Sequence, residues 1–152
     1  MARQPDYAES LRILKRDKKL APVIKKHGPP DLSRYHGGIN IFQSLLRSIV
    51  FQQISGSAAR SIHGRILDLF PRKHPTPETL LDIPEAKLRA AGLSSQKIVY
   101  VRDLAARCLD GTVNQRKFPS MTSEEIIVHL VAVKGIGVWT AQMMLIFRLH
   151  RL

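Results

Sequence analysis

Apolar residues recur every three or four positions along most of the chain, and no stretch alternates convincingly with a period of two. The clearest pattern predicts a helix over residues 41–53, which a capping box of Asn40 and Gln43 would open. The apolar positions of this segment share one helical face: Phe42, Leu45, Leu46, Ile49 and Val50. The same period elsewhere in the chain predicts an all-α protein.

Start and stop residues divide the rest of the chain into about eight further helices. Ser55 is placed to cap one helix, and either Ser94 or Ser95 another. Thr122 and Glu125 form a second capping box. The other predicted helices span residues 5–16, 20–26, 56–70, 96–110 and 123–133, with short ones opening at 77 and 84 and a last one from 138 to the end.

The charge of the chain indicates a class of partner. Lysine and arginine number 24 against 12 aspartates and glutamates, which gives a net charge of +12 over 152 residues. This excess favours a polyanionic partner, above all nucleic acid. An anionic membrane surface would call for one cationic helix face, whereas the basic residues here are spread from Arg3 to Arg151. A soluble protein that is merely basic is the third interpretation.

The remaining composition bears on domain count and compartment. The length suits one domain, or two small lobes that share a core. The one cysteine, Cys108, excludes an intramolecular disulfide, and a buried structural thiol is its expected role. The six histidines form no ligand motif, and His63 and His129 are interpreted as surface or phosphate-facing groups. Because the chain shows neither a membrane span nor a signal peptide, we expect an intracellular protein with no membrane partner.

A tight turn with two glycines, residues 134–137, joins two of the predicted helices. Glycines permit unusual backbone angles and close approach, so the amides of Gly135 and Gly137 can point outward at the start of the last helix. Such an N-terminus binds phosphate and positions a protein on DNA without reading its sequence. Ile136 would anchor the turn in the core. An ordinary hairpin of two helices with a glycine stop is the competing interpretation.

Three motifs in order, within residues 39–147, resemble one family. The first is the helix over residues 42–55, which ends in Gln-Gln-Ile-Ser. The second comprises Gly92-Leu93-Ser94 with Lys97, Tyr100 and Asp103. The third is the hairpin, which continues into Trp139-Thr140-Ala141. Together they resemble the helix-hairpin-helix superfamily of DNA glycosylases, and the last resembles its 3-methyladenine glycosylase II branch. Lys134 stands where proline is common in that family.

The resemblance implies a fold, a partner and an activity. The whole chain, 1–152, would be one glycosylase-like domain: residues 1–38 belong to an incomplete terminal lobe, 39–133 form the helical lobe, and 126–148 form the helix-hairpin-helix. The partner would be double-stranded DNA with a damaged base, which is flipped into a pocket between the lobes. The activity would be hydrolysis of the N-glycosidic bond of alkylated purines such as 3-methyladenine and 7-methylguanine. Strand cleavage is not expected, since Trp139 stands where lyase members of the family place lysine.

The resemblance also implies which residues face the damaged nucleotide. Gln53 and Ile54 match the wedge that fills the vacated stack, with Gln53 the first choice and a polar helix end its alternative. Trp139 and Met143 match positions of the base pocket, where an indole face can stack on a cationic purine. Either residue could instead belong to the core.

Phosphate contacts and a cation are implied at the hairpin. The expected phosphate-binding residues are Lys134, Gly135, Ile136, Gly137 and Thr140, with Ser55 a helix cap first and a phosphate contact second. A sodium or potassium ion is expected at the main-chain carbonyls of Val131, Val133 and Ile136. No cofactor is required by the implied reaction.

No catalytic residue is assigned within the chain. The aspartate of the implied reaction would lie about twenty residues after Trp139 and therefore beyond Leu152. Asp103 is interpreted as a structural partner within its own motif. We therefore expect a C-terminally truncated fold that lacks its last helices and leaves apolar surface uncovered. Such a chain would be a monomer if complete and prone to association as truncated.

Three functional alternatives are open at this point. The first is a DNA-3-methyladenine glycosylase of base-excision repair. The second is a catalytically inactive helix-hairpin-helix module that binds DNA, and the third is an unrelated basic helical protein that binds, for example, RNA. The expected location is the cytoplasm, at the nucleoid, in a bacterium and the nucleus in a eukaryote.

Overall fold

The computed structural model describes residues 7–29 and 40–151, and within these residues the chain is helical without strands, as predicted. The helices are α1 (Ala8–Leu14), α2 (Leu20–His27), α3 (Ile41–Phe51), α4 (Gly56–Leu67), α5 (Pro77–Asp82), α6 (Glu85–Ala90), α7 (Ser95–Leu109), α8 (Ser123–Val131) and α9 (Val138–Met144). Short 3-10 helices follow at Pro71–Lys73 and Phe118–Ser120, and a π-helical turn spans Leu145–Leu149.

The described residues divide into two compact units. One contains residues 40–142, and the other contains residues 7–29 and 143–151. Each unit has its own internal packing, and the larger one carries all three sequence motifs up to Gln142.

The core of the larger unit is built around α7. This helix packs against α3, α5 and α6, while α3 also packs against α4. The periodic face predicted for α3 is buried, and Leu45, Leu46, Ile49 and Val50 have no exposed surface. Burial of a leucine or isoleucine side chain contributes about 1.5–3 kcal/mol. This face therefore supplies much of the free energy that holds α3 against α7.

Side chains satisfy the first amides of most helices in the larger unit. The capping boxes at Asn40 and Thr122 form as predicted, and Ser55 accepts the N–H of Ala58. Of the two serines before α7, Ser94 is the cap: its hydroxyl oxygen accepts the N–H of Lys97. Ser95 is the first residue of the helix instead.

Several helices are shorter than their apolar patterns predict. The helix predicted over residues 5–16 is described only from Ala8 to Leu14, and Pro5 lies outside the described residues. Helix α4 ends at Leu67 rather than Phe70, and α3 ends at Phe51 rather than Gln53. For α4 the apolar pattern continues past the end of the helix, because Phe70 in the following turn is also buried.

The end of the last helix also differs from the prediction of a regular helix to the terminus. After Met144 the backbone widens into the π-helical turn, and His150 adopts a left-handed conformation with φ of 55°. The N–H of Arg151 then donates to the carbonyl of Leu145 at 2.9 Å. Histidine therefore takes the position that glycine or asparagine more often occupies at a helix end.

The smaller unit contains α1 and α2, which contact each other and have no buried residue. The carboxylate of Asp17 accepts the N–H groups of Lys19 and Leu20 and so starts α2. Four apolar residues of these helices are exposed by 41–53%: Ile13, Leu14, Leu20 and Val23. None of the helices in the described part of the chain has the length and apolar character of a membrane span.

Three side chains occupy other environments than predicted. Cys108 is half-buried rather than buried, and its burial raises the pKa of the thiol to about 12. His63 and His129 are likewise half-buried rather than on the surface. The ring of His129 donates through Nδ1 to the carbonyl oxygen of Thr112 at 2.7 Å, so that nitrogen is occupied within the protein.

Candidate nucleic-acid interface

The turn between α3 and α4 projects Gln53 from the surface. Gln52 is extended, with φ of −63° and ψ of 135°, and Gln53 follows in the left-handed region with φ of 56°. A non-glycine residue in this region is strained by about 1 kcal/mol or more and persists where its surroundings hold it. Gln53 is exposed and Ile54 is 38% exposed, so the two residues predicted as a wedge both reach solvent.

A lysine from α7 holds the start of this turn. The ammonium group of Lys97 donates to the carbonyl oxygens of Val50 and Gln52, at 2.7 Å in both cases. These oxygens lie at the C-terminal end of α3, where a positive charge is favoured by the helix dipole. Partial burial lowers the pKa of Lys97 below its usual value.

The hairpin between α8 and α9 packs against the same face of α7. Gly135 has φ of 81°, and a Cβ placed there would lie 2.2 Å from Cδ2 of Tyr100. Only glycine fits, because the ring of Tyr100 occupies the space that a side chain would need. One turn along α7, the carboxylate of Asp103 accepts the N–H of Lys134 at 2.8 Å and a hydrogen bond from Arg107 at 3.1 Å. The prediction that Asp103 is a structural partner is confirmed.

Ile136 occupies the core side of the hairpin. Its side chain is 4% exposed, which confirms the predicted anchor. Its N–H donates to the carbonyl oxygen of Val133 at 3.0 Å. Because this amide is used within the hairpin, Ile136 cannot offer it to a phosphate, and the same holds for the Lys134 amide bound to Asp103.

The first amides of α9 remain available. The carbonyl of Gly137 accepts the N–H of Ala141 at 3.1 Å, so Gly137 stands immediately before the helix. Within the described residues, no acceptor is found for the N–H groups of Gly135, Gly137, Val138, Trp139 and Thr140. The side chain of Lys134 is exposed beside them. The arrangement can bind an anion through amides and a nearby ammonium group.

A hydrogen bond joins residues 52–55, the wedge turn, to the hairpin. The side-chain amide of Gln52 donates to the carbonyl oxygen of Gly135 at 2.8 Å. Both elements line a cleft of about 770 Å³, to which α7 contributes Lys97 and Tyr100. The three motifs found along the sequence therefore meet at one place.

Six of the predicted site residues line this cleft: Gln53, Ile54, Gly135, Gly137, Trp139 and Thr140. Trp139 is 71% exposed, which excludes the alternative of a core tryptophan. Lys134, Ile136 and Ser55 are not part of the lining. Met143 is half-buried and belongs to the other unit.

Sequence reasoning assigned no role to several residues that build the site. Gln52, Lys97 and Tyr100 make the contacts described above, and the ring of Phe51 carries the guanidinium of Arg47 at 4.3 Å from its centroid. The motif resemblance had singled out Lys97 and Tyr100 by position only. The signal that could have found them is their spacing of three, which with Asp103 places all three on one face of α7.

The lining of the cleft offers several kinds of contact. It includes amides, aromatic rings, aliphatic side chains, hydroxyls and one ammonium group, and no carboxylate is among the described residues that form it. No group of three or more histidine, cysteine, aspartate or glutamate side chains in the described chain could hold a metal ion. The cleft is thus suited to stacking and to phosphate contacts.

The fold and the cleft first define a class: an all-α protein that presents a helix-hairpin-helix beside a wedge turn. The model of the HhH-GPD superfamily of base excision DNA repair proteins matches residues 46–145. The chain belongs to this superfamily.

Relatives and solved structures agree with this assignment. DNA-3-methyladenine glycosylase 1 of Schizosaccharomyces pombe is 33% identical over 112 residues, which are 72% of this chain and 49% of that protein. The crystal structure of a DNA-3-methyladenine glycosidase from Bacillus halodurans superposes with a TM-score of 0.75 at 33% identity, over 99% of this chain and 68% of that one. The Schizosaccharomyces pombe 3-methyladenine DNA glycosylase in complex with abasic DNA gives a TM-score of 0.77 at 28% identity, over 92% of this chain and 69% of that one.

The matches differ from this chain in length. The chain spans about half the length of the curated relatives it matches, with 49%, 47% and 51% of three of them covered.

Proposed function

We propose that the chain acts in base-excision DNA repair and that it holds duplex DNA with an alkylated purine turned out of the stack. The observation that carries this proposal is the meeting of an exposed left-handed glutamine, an exposed tryptophan and a row of available amides around one cleft. The net charge of +12 supports a nucleic-acid partner. Relatives named as DNA-3-methyladenine glycosylases support the choice of alkylated purines.

In this proposal the hairpin binds the DNA backbone. The amides of Gly135 and Gly137, with those of the first turn of α9, donate hydrogen bonds to the oxygens of a phosphate, and Lys134 and Thr140 add a charge and a hydroxyl. Ser55 caps α4 through Ala58 and can reach a phosphate only as a second role. Such contacts orient the duplex without reading its sequence.

Gln53 and Ile54 act as the wedge. A flipped nucleotide leaves a gap in the stack, and a side chain that fills it slows the return of the base. Gln53, which has the left-handed backbone, is the first choice of the two.

Trp139 receives the flipped base. Stacking of a base on an indole is worth about 1–3 kcal/mol, and a cationic alkylated purine gains a further cation–π contribution of about 0.5–2 kcal/mol. Met143, one helical turn further along α9, is the second proposed pocket residue. The choice of a cationic purine follows from the electron-rich ring.

A sodium or potassium ion at the hairpin is part of the proposal. The carbonyls of Val131, Val133 and Ile136 are its proposed ligands. Val133 already accepts the N–H of Ile136, and a carbonyl oxygen has a second lone pair for an ion. The ion would fix the turn and add a positive charge beside the phosphate.

The chemical step proposed is hydrolysis of the N-glycosidic bond without strand cleavage. A carboxylate stabilises the developing positive sugar and positions the water in reactions of this kind. The described cleft supplies stacking and phosphate contacts but no carboxylate in its lining. The second candidate function is a DNA-binding module without chemistry.

The experiment that separates the candidates uses the 152-residue chain and methylated duplex DNA. The first measurement is release of 3-methyladenine and 7-methylguanine, and the second is affinity for a duplex with an abasic site. Trp139→Ala is the control, and its free energy of unfolding should stay within about 0.5 kcal/mol of the wild type because the side chain is exposed.

Each outcome decides between the candidates. Base release that Trp139→Ala abolishes supports the glycosylase. Retained binding to the abasic duplex without release supports the binding module. Failure of the folded chain to bind abasic duplex any better than an RNA duplex contradicts both.

A further inference from the structure

One face of α7 touches both DNA-facing elements. Lys97, Tyr100 and Asp103 are three residues apart and therefore lie along one stripe of the helix. Lys97 bonds the end of α3, Tyr100 covers Gly135, and Asp103 bonds the amide of Lys134. The wedge turn and the hairpin are thus both fastened to the same rigid element.

The contacts on the wedge side all act on the residue before Gln53. The carbonyl of Gln52 accepts from the ammonium of Lys97 at 2.7 Å, and its side chain donates to the carbonyl of Gly135 at 2.8 Å. Gln52 is therefore held at both its backbone and its side chain. The peptide that leads into the left-handed Gln53 cannot rotate without breaking one of these bonds.

Lys97 is suited to this task by its surroundings. Its ammonium group reaches two carbonyls at the end of a helix, which would otherwise lack hydrogen-bond donors there. Charge-assisted hydrogen bonds of this length are among the stronger polar contacts in proteins. With both carbonyls bound, the ammonium group has only one donor left for other partners.

We propose that Lys97 is a positioning residue that fixes the direction of Gln53 relative to the phosphate-binding hairpin. It acts through the carbonyls of Val50 and Gln52 and touches neither the damaged base nor the wedge side chain. This inference rests on the proposed function, since Gln53 is a wedge only on DNA. Without Lys97, the chain should still hold the backbone of the duplex but insert its wedge poorly.

The test compares Lys97→Met with Lys87→Met in the full chain. Methionine keeps the apolar stem and removes the ammonium group in both variants, so the net charge changes equally. Lys87 lies exposed on α6 and serves as the matched control. Gln52→Met is a second variant that removes only the side-chain bond to Gly135.

The first readout is the fluorescence of 2-aminopurine placed beside an abasic site, which rises when the base is unstacked. At saturating protein we expect the rise to be about fivefold smaller for Lys97→Met than for the wild type, since the strained turn loses the contacts that hold it. Lys87→Met should match the wild type. Affinity for the abasic duplex should fall less than the fluorescence signal, because the hairpin amides are intact.

The second readout is hydrogen exchange of the free protein, which does not depend on DNA. Lys97→Met should speed exchange of the amides of residues 52–55 and of the hairpin, 134–137. Gln52→Met should affect the hairpin in the same direction. The control variant should leave both segments unchanged, and a thermal melt confirms that each variant is folded.

The outcomes separate this inference from the proposed function. If the wild-type protein fails to bind abasic duplex, the proposed function is wrong. The exchange data then still show whether Lys97 holds the wedge turn and the hairpin in place. If Lys97→Met equals Lys87→Met in both fluorescence and exchange, the inference is wrong. It is also wrong if Lys97→Met lowers the salt slope of binding by about one and leaves exchange unchanged, because Lys97 would then contact a phosphate itself.

Discussion

At the scale of single residues, the two glycines of the hairpin serve different purposes. Gly135 has a positive φ and lies against the ring of Tyr100, whereas a Cβ at Gly137 would meet no atom within 4 Å. The first glycine is required by packing and backbone conformation together. The second leaves open space at the start of α9.

Gly135→Ala should therefore lower the free energy of unfolding by about 2–4 kcal/mol, from strain at positive φ and from overpacking against Tyr100. Gly137→Ala should lower the free energy of unfolding by less than about 1 kcal/mol, because it only replaces a residue type that is tolerated at the position before a helix. Urea unfolding of the two variants checks the prediction. Equal losses of stability in the two variants would mean that the ring of Tyr100 moves aside freely to make room for the new methyl group.

His63 provides a residue-scale prediction on pH. Burial first, and the charge of Arg47 second, hold the pKa of His63 below its usual 6.5. The unfolded chain thus takes up this proton at higher pH than the folded one. The contribution of His63 to the free energy of unfolding is fully present above pH 6.5. It is lost as the pH falls from there through the lowered pKa.

We expect His63→Gln to lose less stability than the wild type between about pH 7.5 and pH 5, as measured by urea unfolding at both values. An identical loss in the two proteins would show that His63 does not contribute to the pH dependence.

At the scale of elements, the ends of the helices matter more than their lengths. Helix α3 ends two residues earlier than its apolar pattern suggests, and this early end creates the turn that projects Gln53. Helix α7 begins at the cap residue Ser94, and this start also determines which side chains share the helix face that carries Lys97, Tyr100 and Asp103. A shift of one residue in that start would rotate Lys97 and Tyr100 away from their partners, because each residue turns the helix by about 100°.

The cap of α7 gives a matched pair of substitutions. Ser94→Ala should lower the free energy of unfolding by about 1 kcal/mol, because the N–H of Lys97 loses its acceptor. Ser95→Ala removes a hydroxyl that only accepts an exposed hydrogen bond from Arg89, so its cost should stay below about 0.5 kcal/mol. Thermal or urea unfolding of both variants measures the difference, and reversal of the order would assign the cap to Ser95.

At the scale of the whole molecule, charge and architecture act together. The excess of 12 positive charges favours attraction to a polyanion, while in the proposed function the hairpin supplies the place where the DNA backbone docks. On this proposal, orientation on the duplex comes from few residues, although the attraction comes from many.

The salt dependence of DNA affinity tests whether docking at the hairpin and general attraction by charge come from different residues. Each phosphate neutralised contributes about −0.9 to the slope of log affinity against log salt concentration. Lys134→Gln should reduce the magnitude of the slope by about 0.9, and Lys87→Gln should leave it nearly unchanged. Equal effects of the two variants would mean that Lys134 contributes only general attraction.

The sequence by itself determined the helices, most of their caps, the basic character and the three motifs. These features depend on residues within about four positions of each other, or on composition, and both are legible without a structure. For the same reason Gly135 and Ile136 could be recognised as part of a tight turn between two helices, whereas the role expected of Trp139 came from the family resemblance. The end of α3 and the role of His150 could not, because backbone conformation there depends on contacts with other elements.

Only the tertiary structure decided how the motifs meet. Lys97 and Val50 are 47 residues apart, and Gln52 and Gly135 are 83 apart. Nothing in the sequence around a lysine or a glutamine indicates a partner so far along the chain, because either side chain is usually exposed to solvent. The exposure of Trp139 was settled in the same way, by which neighbours the packed helices brought within reach.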